Sequence, residues 1–431
     1  MATKDCALHT VDMLPGESVF RAYIGLIWFI PCSQVPLTSA VAKVQQGVNS
    51  LVKGNPILAG TLRDTSDTGS VLVEQPDDAF VTVQQSTAPY SLQEMDACGY
   101  DQNRFSRIFE DMPGPTPEID GLPVLVVRVT GLACGAAAVA VLVHHCFADA
   151  AGAAAVAYRI SMGCEDSTPL SPLCYNRESI SSVLSKFNPA APTCVEHVLQ
   201  MDYSSDSASN LRFRGPIARC QFRITEEALM RLRKTVDKDN CGTNALILAL
   251  LWRVWTRALR IHGSKCPFTY AGGPADMRNH IGPLIENDCF YMGNLIQPVP
   301  MSAPVAFVLD KTLGEVASYV HKCFTGGISP ATLRWYMDGA EHDIGSILAK
   351  TDSPMLAFSN MRRPLADIHH LCFGMNCPPL SMQLRSFDAP FMFFAVDDGC
   401  AGFLLNSNLP TSVCGAIAGD LEFADYATLV Y

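Results

Sequence analysis

The sequence predicts an α/β fold in two domains, and three observations predict it. Segments with strand character alternate with segments of helical spacing along the chain. Its 431 residues exceed one ordinary core, at roughly 150 residues per domain. Between about residues 163 and 215 the periodicity fails amid many Ser, Pro, Asp and Asn residues, a stretch longer than a normal connection inside a compact domain. We read that stretch as an interdomain crossover, with the second domain beginning near residue 216.

From Ser39 to Lys53, Val41, Val44, Val48, Leu51 and Val52 fall at helical spacing, with Pro36 and Gly54 as start and stop signals. Val71 to Gln84 changes to short apolar runs and alternation broken by Pro76 and Asp77-Asp78, which predicts two short strands. Pro123 to Thr130 and Ala136 to Val143 read as two apolar strands joined by a turn over Gly131 to Gly135. The second runs into His144-His145, and the alanine-rich stretch Ala150 to Met162 then predicts a helix. Past the crossover, Cys220 to Ile224 predicts a strand and Thr225 a helix N-cap, with Glu226 and Glu227 in the first turn. Ala245 to Leu259 predicts a strongly apolar helix and Pro304 to Cys323 another, with strands at Phe391 to Val396 and Gly402 to Leu405.

Hydrophobic residues at 48% and charged residues at 17% supply a large core and exclude a disordered chain. A net charge of −11, with no basic run longer than pairs such as Arg362-Arg363, argues against nucleic acid and against an acidic membrane surface. The N-terminus lacks a signal pattern, and the apolar stretch Tyr23 to Pro31 is too short to span a bilayer, so a cytoplasmic location is expected. Seventeen scattered cysteines with no Cys-x-x-Cys pair predict reduced thiols that pack as small hydrophobes, and no metal site.

The sharpest local feature is His144-His145-Cys146-Phe147-Ala148-Asp149, with Gly152 following. A general base must present a neutral imidazole nitrogen to a substrate proton, and a neighbouring charge network improves its orientation. One of the two histidines would face a cavity and the other the core. His145 and Asp149 without a third donor make poor zinc ligands.

Several patches, in one order, resemble the BAHD acyl-CoA-dependent transferases of plants and fungi, relatives of chloramphenicol acetyltransferase and of condensation domains. Asn55-Pro56-Ile57-Leu58-Ala59-Gly60 is similar to the family's "yP.laGrl" segment, and His145, Asp149 and Gly152 match its HxxxD motif. Thr243 to Arg253, ending Leu251-Trp252-Arg253, resembles the helix after the crossover. Asp276-Met277-Arg278 and Met292-Gly293-Asn294 resemble "DxR" and "fGN", and Gly419 to Tyr426 resembles the closing "D.eF..y" segment. Two patches depart from the family. Its DFGWG motif stands here as Cys372-Phe373-Gly374-Met375-Asn376, and its frequent Thr-Ser-Trp as Phe358-Ser359-Asn360.

The resemblance implies two chloramphenicol-acetyltransferase-like domains with a tunnel between them: residues 1–175 with a returning segment near 355–380, a crossover at 176–215, and residues 216–431. It implies a monomer, with no permanently bound cofactor, that moves an acyl group, acetyl by preference, from acyl-CoA to a hydroxyl or amine of a small specialised metabolite. His145 would act as general base without a covalent acyl-enzyme, and Asp149 would pair with Arg278 to brace the loop. Gly152 would allow close packing, and Asn294 would order the channel. Ser359 or Asn360 would donate to the oxyanion, or only cap a turn. Thr243 would lie near the coenzyme, or serve only as a helix N-cap. The altered motifs keep two other readings open: a condensation or cyclisation enzyme of the same fold, and an inactive binding protein.

Overall fold

The structure, a computed structural model, describes residues 7–11, 22–32, 35–65, 70–102, 104–108, 112–113, 118–165, 173–175, 177–191, 215–236, 241–282, 289–338, 355–385, 392–398 and 400–430. Most of the expected crossover, residues 192–214, lies outside these. The chain divides into two compact units, Met1–Ser179 with Glu286–Asn294 and Arg363–Phe387, and Ile180–Ile285 with Leu295–Arg362 and Asp388–Tyr431. Among the described residues, no helix is long and apolar enough to cross a membrane.

The first unit is built on a five-stranded sheet in the order Ser381–Leu384, Tyr23–Ile30, Ala137–His144, Leu125–Leu132, Gln84–Ala88. Leu125–Leu132 and Ala137–His144 form the antiparallel hairpin expected from their apolar runs. Both Tyr23–Ile30 and Ala137–His144 are buried at every position, as strands covered on two faces must be. On one face Tyr23, Ile27 and Phe29 join Ala138, Ala140 and Leu142 in a core with Leu92, Met95 and Phe105. Helices Leu37–Gly54 and Ala150–Gly163 pack on each other and on the sheet strands. A three-stranded sheet, Ala7–Val11, Ser70–Gln75 and Thr61–Thr65, completes the unit with the short pair Leu173–Cys174 and Phe290–Tyr291. The two strands expected between Val71 and Gln84 are displaced. The first is Ser70–Gln75, but Pro76 and Asp77-Asp78 are followed by irregular chain, and the next strand begins only at Gln84.

The second unit carries a seven-stranded sheet in the order Ile296–Pro304, Phe268–Asp276, Leu356–Asn360, Met392–Asp397, Phe403–Pro410, Ile217–Ile224, Thr428–Leu429. Helix Thr243–Ile261 fills one face, with Trp252 and Trp255 fully buried. Thr225 caps helix Glu226–Lys234 by accepting the Ala228 amide at 3.2 Å. The helix expected from Pro304 to Cys323 is two helices, Val305–Asp310 and Leu313–Gly327. Thr312 breaks it by forming a capping box with Glu315, which satisfies amides that a continuous helix would have used internally.

One expectation about cysteine is overturned. Cys174 and Cys289, with Cα atoms 5.9 Å apart, form a disulfide, and Cys134 and Cys400 are exposed. Cys32, Cys146, Cys220 and Cys323 do behave as buried apolar groups.

Candidate active site

His144 and His145 sit where the buried strand Ala137–His144 leaves the sheet. The His144 carbonyl accepts the amides of Phe147 at 2.9 Å and Ala148 at 3.2 Å, which folds the chain into a tight turn. The two rings differ in their surroundings. His144 is fully buried, packs edge-on against Tyr23 with ring centroids 4.8 Å apart, and its Nδ1 accepts the Cys146 amide at 3.2 Å. It is a core histidine. His145 anchors its amide on the Ala22 carbonyl at 2.8 Å and keeps 8% of its surface exposed. Its Nδ1 is buried. Burial pulls its pKa below the ordinary value, outweighing its own carbonyl, Asp149 and Asn294, which all favour the charged form. The ring is therefore neutral at pH 7 and can accept a proton.

Asp149 ends the turn and starts the helix. Its Oδ1 accepts the Gly152 amide at 3.0 Å, making it the N-cap of Ala150–Gly163, where a carboxylate also complements the helix dipole. Gly152 sits against the segment 289–294: a Cβ there would lie 1.9 Å from the Met292 carbonyl oxygen. No side chain fits. That contact sets Met292-Gly293-Asn294 beside the turn, and the Asn294 amide donates to the carbonyls of His145 at 2.6 Å and Cys146 at 3.2 Å. Asn294 is buried, so both bonds form away from water, where leaving their acceptors unmade would cost most.

Residues that the spacing did not single out complete this support. Tyr175 stacks on Phe147, with centroids 4.4 Å apart at 15°, and is nearly parallel to Tyr291 at 6.1 Å. Gly293 leaves room for this stack, since a Cβ there would meet the Tyr291 hydroxyl at 2.6 Å and the Tyr175 ring at 2.8 Å. Leu173–Cys174 pairs in parallel with Phe290–Tyr291 beside the disulfide. A sequence separation of 115 residues between Cys174 and Cys289 hid this pairing from any spacing argument.

His145, Asp149, Gly152 and Asn294 thus meet within the first unit, whereas Arg278, Thr243, Ser359 and Asn360 belong to the second. There Arg278 is held by Asp276, which accepts both its amide at 2.9 Å and its Nη1 at 3.0 Å. Ser359, on strand Leu356–Asn360, is buried, with its hydroxyl 3.7 Å from the Met361 sulfur. The Asn360 carboxamide accepts the Arg362 amide at 2.9 Å and donates to Asn244. Asn360 does therefore cap a turn. Thr243 is not the N-cap of its helix. Gly242 occupies that position in extended conformation, and the Thr243 hydroxyl, one residue inside, accepts from Arg233 at 2.7 Å.

The altered glycine motif keeps a closed loop. Phe373 is fully buried, meets Trp28 edge-on at 5.0 Å and donates its amide to Ser161 at 3.1 Å, while Lys43 reaches the Gly374 carbonyl.

A family model described as "Transferase family" matches residues 7–367. Taxadien-5-alpha-ol O-acetyltransferase of Taxus chinensis is 27% identical over 301 residues, 67% of this chain and 63% of that protein, so the match spans less than two thirds of the relative's length. Among solved structures, F. graminearum TRI101 complexed with ethyl coenzyme A superposes with a TM-score of 0.74 at 17% identity, covering 99% of this chain and 100% of that one. F. sporotrichioides TRI101 complexed with coenzyme A and T-2 gives 0.74 at 18% identity, with the same coverage. Vinorine synthase gives 0.67 at 15% identity, covering 96% and 93%. These likenesses establish the expected α/β fold with two chloramphenicol-acetyltransferase-like domains.

Proposed function

The chain belongs to the Transferase family, the BAHD acyl-CoA-dependent acyltransferases, and we propose that it transfers an acetyl group from acetyl-CoA to a hydroxyl of a small oxygenated metabolite, with His145 as general base. The observation that carries this reading is the placement of His145: buried, at a strand end, in a turn tied by Asn294.

A neutral alcohol is a poor nucleophile toward a thioester, so removing its proton during attack raises the rate by roughly 10²- to 10⁴-fold. With Nδ1 buried, Nε2 is the nitrogen assigned to that proton. As the alcohol oxygen bonds to the thioester carbon, the carbonyl electron pair moves to oxygen. Collapse restores the carbonyl and breaks the C–S bond, and the thiolate takes the proton back from the imidazolium. No acyl-enzyme is needed.

The developing oxyanion needs a donor, and Ser359 is the better candidate of the pair. Its hydroxyl faces a weak sulfur acceptor, whereas both ends of the Asn360 carboxamide are engaged. Asp149 and Arg278 are assigned bracing roles, the first already evident as a helix cap. The relative named taxadien-5-alpha-ol O-acetyltransferase supports a hydroxyl over an amine acceptor.

The experiment is a thermal midpoint with and without coenzyme A and acetyl-CoA, followed by acetyl-CoA consumption against a panel of polycyclic terpenoid alcohols. A ligand at 100 times its dissociation constant adds about 2.7 kcal/mol to the folded state. A raised midpoint with turnover supports the reading; an unmoved midpoint at millimolar coenzyme sinks it.

A further inference from the structure

The supports of the His145 turn converge on one covalent bond. Cys174 precedes Tyr175, whose ring stacks on Phe147, two residues after His145. Cys289 begins the run that presents the Met292 carbonyl to Gly152 and the Asn294 amide to His145. Between them the only regular pairing described is two residues long, Phe290 with Leu173 and Tyr291 with Cys174, extended by the Met292 amide on the Cys174 carbonyl at 3.0 Å. Two such short strands are not stable by themselves. A cross-link closing a loop of 115 residues removes many of the conformations in which they would part.

We propose that the Cys174–Cys289 disulfide is a positioning element for His145, so that thiol reductants lower the enzyme's turnover by loosening the segment that carries Asn294. The proposal rests on the general-base reading above. A dithiol supplies the switch: its thiolate attacks one sulfur and the Cys174–Cys289 bond breaks. The reductant then closes to its own disulfide, and both cysteines leave as thiols with the reductant's two protons. Oxidation reverses the step, with a disulfide-class oxidant taking up the two electrons. Cys174 and Cys289 do not touch the reacting atoms in this scheme; they act through Tyr175, Met292 and Asn294.

The test compares the full-length protein after diamide oxidation and after dithiothreitol, with thiols mapped by alkylation and mass spectrometry. Amide hydrogen exchange is followed in peptides spanning 142–153 and 289–295. Reduction is expected to unblock both cysteines and speed exchange in both peptides by about tenfold. It should also lower kcat by about tenfold to a hundredfold at unchanged KM for acetyl-CoA. The pH at which activity falls should move up toward the ordinary histidine value as water reaches the ring. Cys174→Ser with Cys289→Ser should match the reduced protein in either condition, while Cys400→Ser, at an exposed free cysteine, should not. Two results overturn the proposal: both thiols alkylating fully after oxidation, or a broken bond with unchanged exchange around His145. Exchange needs neither acceptor nor coenzyme, so failure of the acyl-transfer reading would be seen separately.

Discussion

The side-chain amide of Asn294 donates to the backbone carbonyl of His145 at 2.6 Å, across 149 positions of sequence. A second bond, to Cys146, makes this one amide a clamp on two consecutive carbonyls of a buried turn. The imidazole direction follows from that backbone.

Asn294→Ala removes a donated bond from each of two buried carbonyls, and each loss costs about 0.5–1.5 kcal/mol. Asn294→Asp is the sharper variant, because a carboxylate of the same shape only accepts and would face two carbonyl oxygens. Chemical denaturation should rank the midpoints wild type, then alanine, then aspartate. An Asn294→Asp protein as stable as wild type would contradict the clamp.

Gly152→Ala pushes a methyl into the Met292 carbonyl oxygen, 1.9 Å away. Backbone cannot yield as a flexible side chain can, so the expected loss is at the upper end of the overpacking range of about 1–3 kcal/mol. Thermal unfolding reads it. Hydrogen exchange should show the damage concentrated in residues 289–294 and 145–153.

For Asp149 the cap and the charge can be separated. Asp149→Ala removes the acceptor for the Gly152 amide and should cost about 0.5–2 kcal/mol, whereas asparagine caps about as well as aspartate. Asp149→Asn should therefore keep most of the stability, because its Oδ1 can still accept the Gly152 amide. An Asp149→Asn protein as unstable as Asp149→Ala would contradict the cap.

The depressed pKa of His145 fixes the sign of two pH effects. In the unfolded chain this histidine takes up a proton near pH 6.5, and in the folded chain only at lower pH. Between those values the unfolded state holds more protons, so stability falls as pH drops through that window. His145→Gln should flatten this part of the stability curve. Activity should hold through pH 6.5 and fall only below it, where the folded ring charges.

Local patterns carried much of this site. An apolar strand running into paired histidines and then an alanine-rich helix located the turn, because strand and helix periods are set by neighbours in sequence. The closing segment was legible only through its family resemblance, which did not foretell that Asp420 and Glu422 both pair with Arg257 or that Phe423 packs on Phe222 in the second core. Long-range pairings were not legible. Nothing near Cys174 announces Cys289, and nothing in His144-His145 says which ring the Cys146 amide will take. Thr243 misled for a related reason. Threonine is a good N-cap, but Gly242 adopts the extended cap conformation without needing a side chain, and Arg233 claims the threonine hydroxyl. The break at Thr312 was written in the sequence as Thr-x-x-Glu and was masked by the apolar residues on either side.

The most direct test of His145 is the pH dependence of acetyl-CoA turnover, with an accepted alcohol, in wild type and His145→Gln, alongside the coenzyme-induced midpoint shift of each. The account predicts a single titration below pH 6.5 in the wild type, and a kcat lower by about 10²- to 10⁴-fold in the variant with its midpoint shift intact. A His145→Gln protein that binds coenzyme and turns over at the wild-type rate would contradict it.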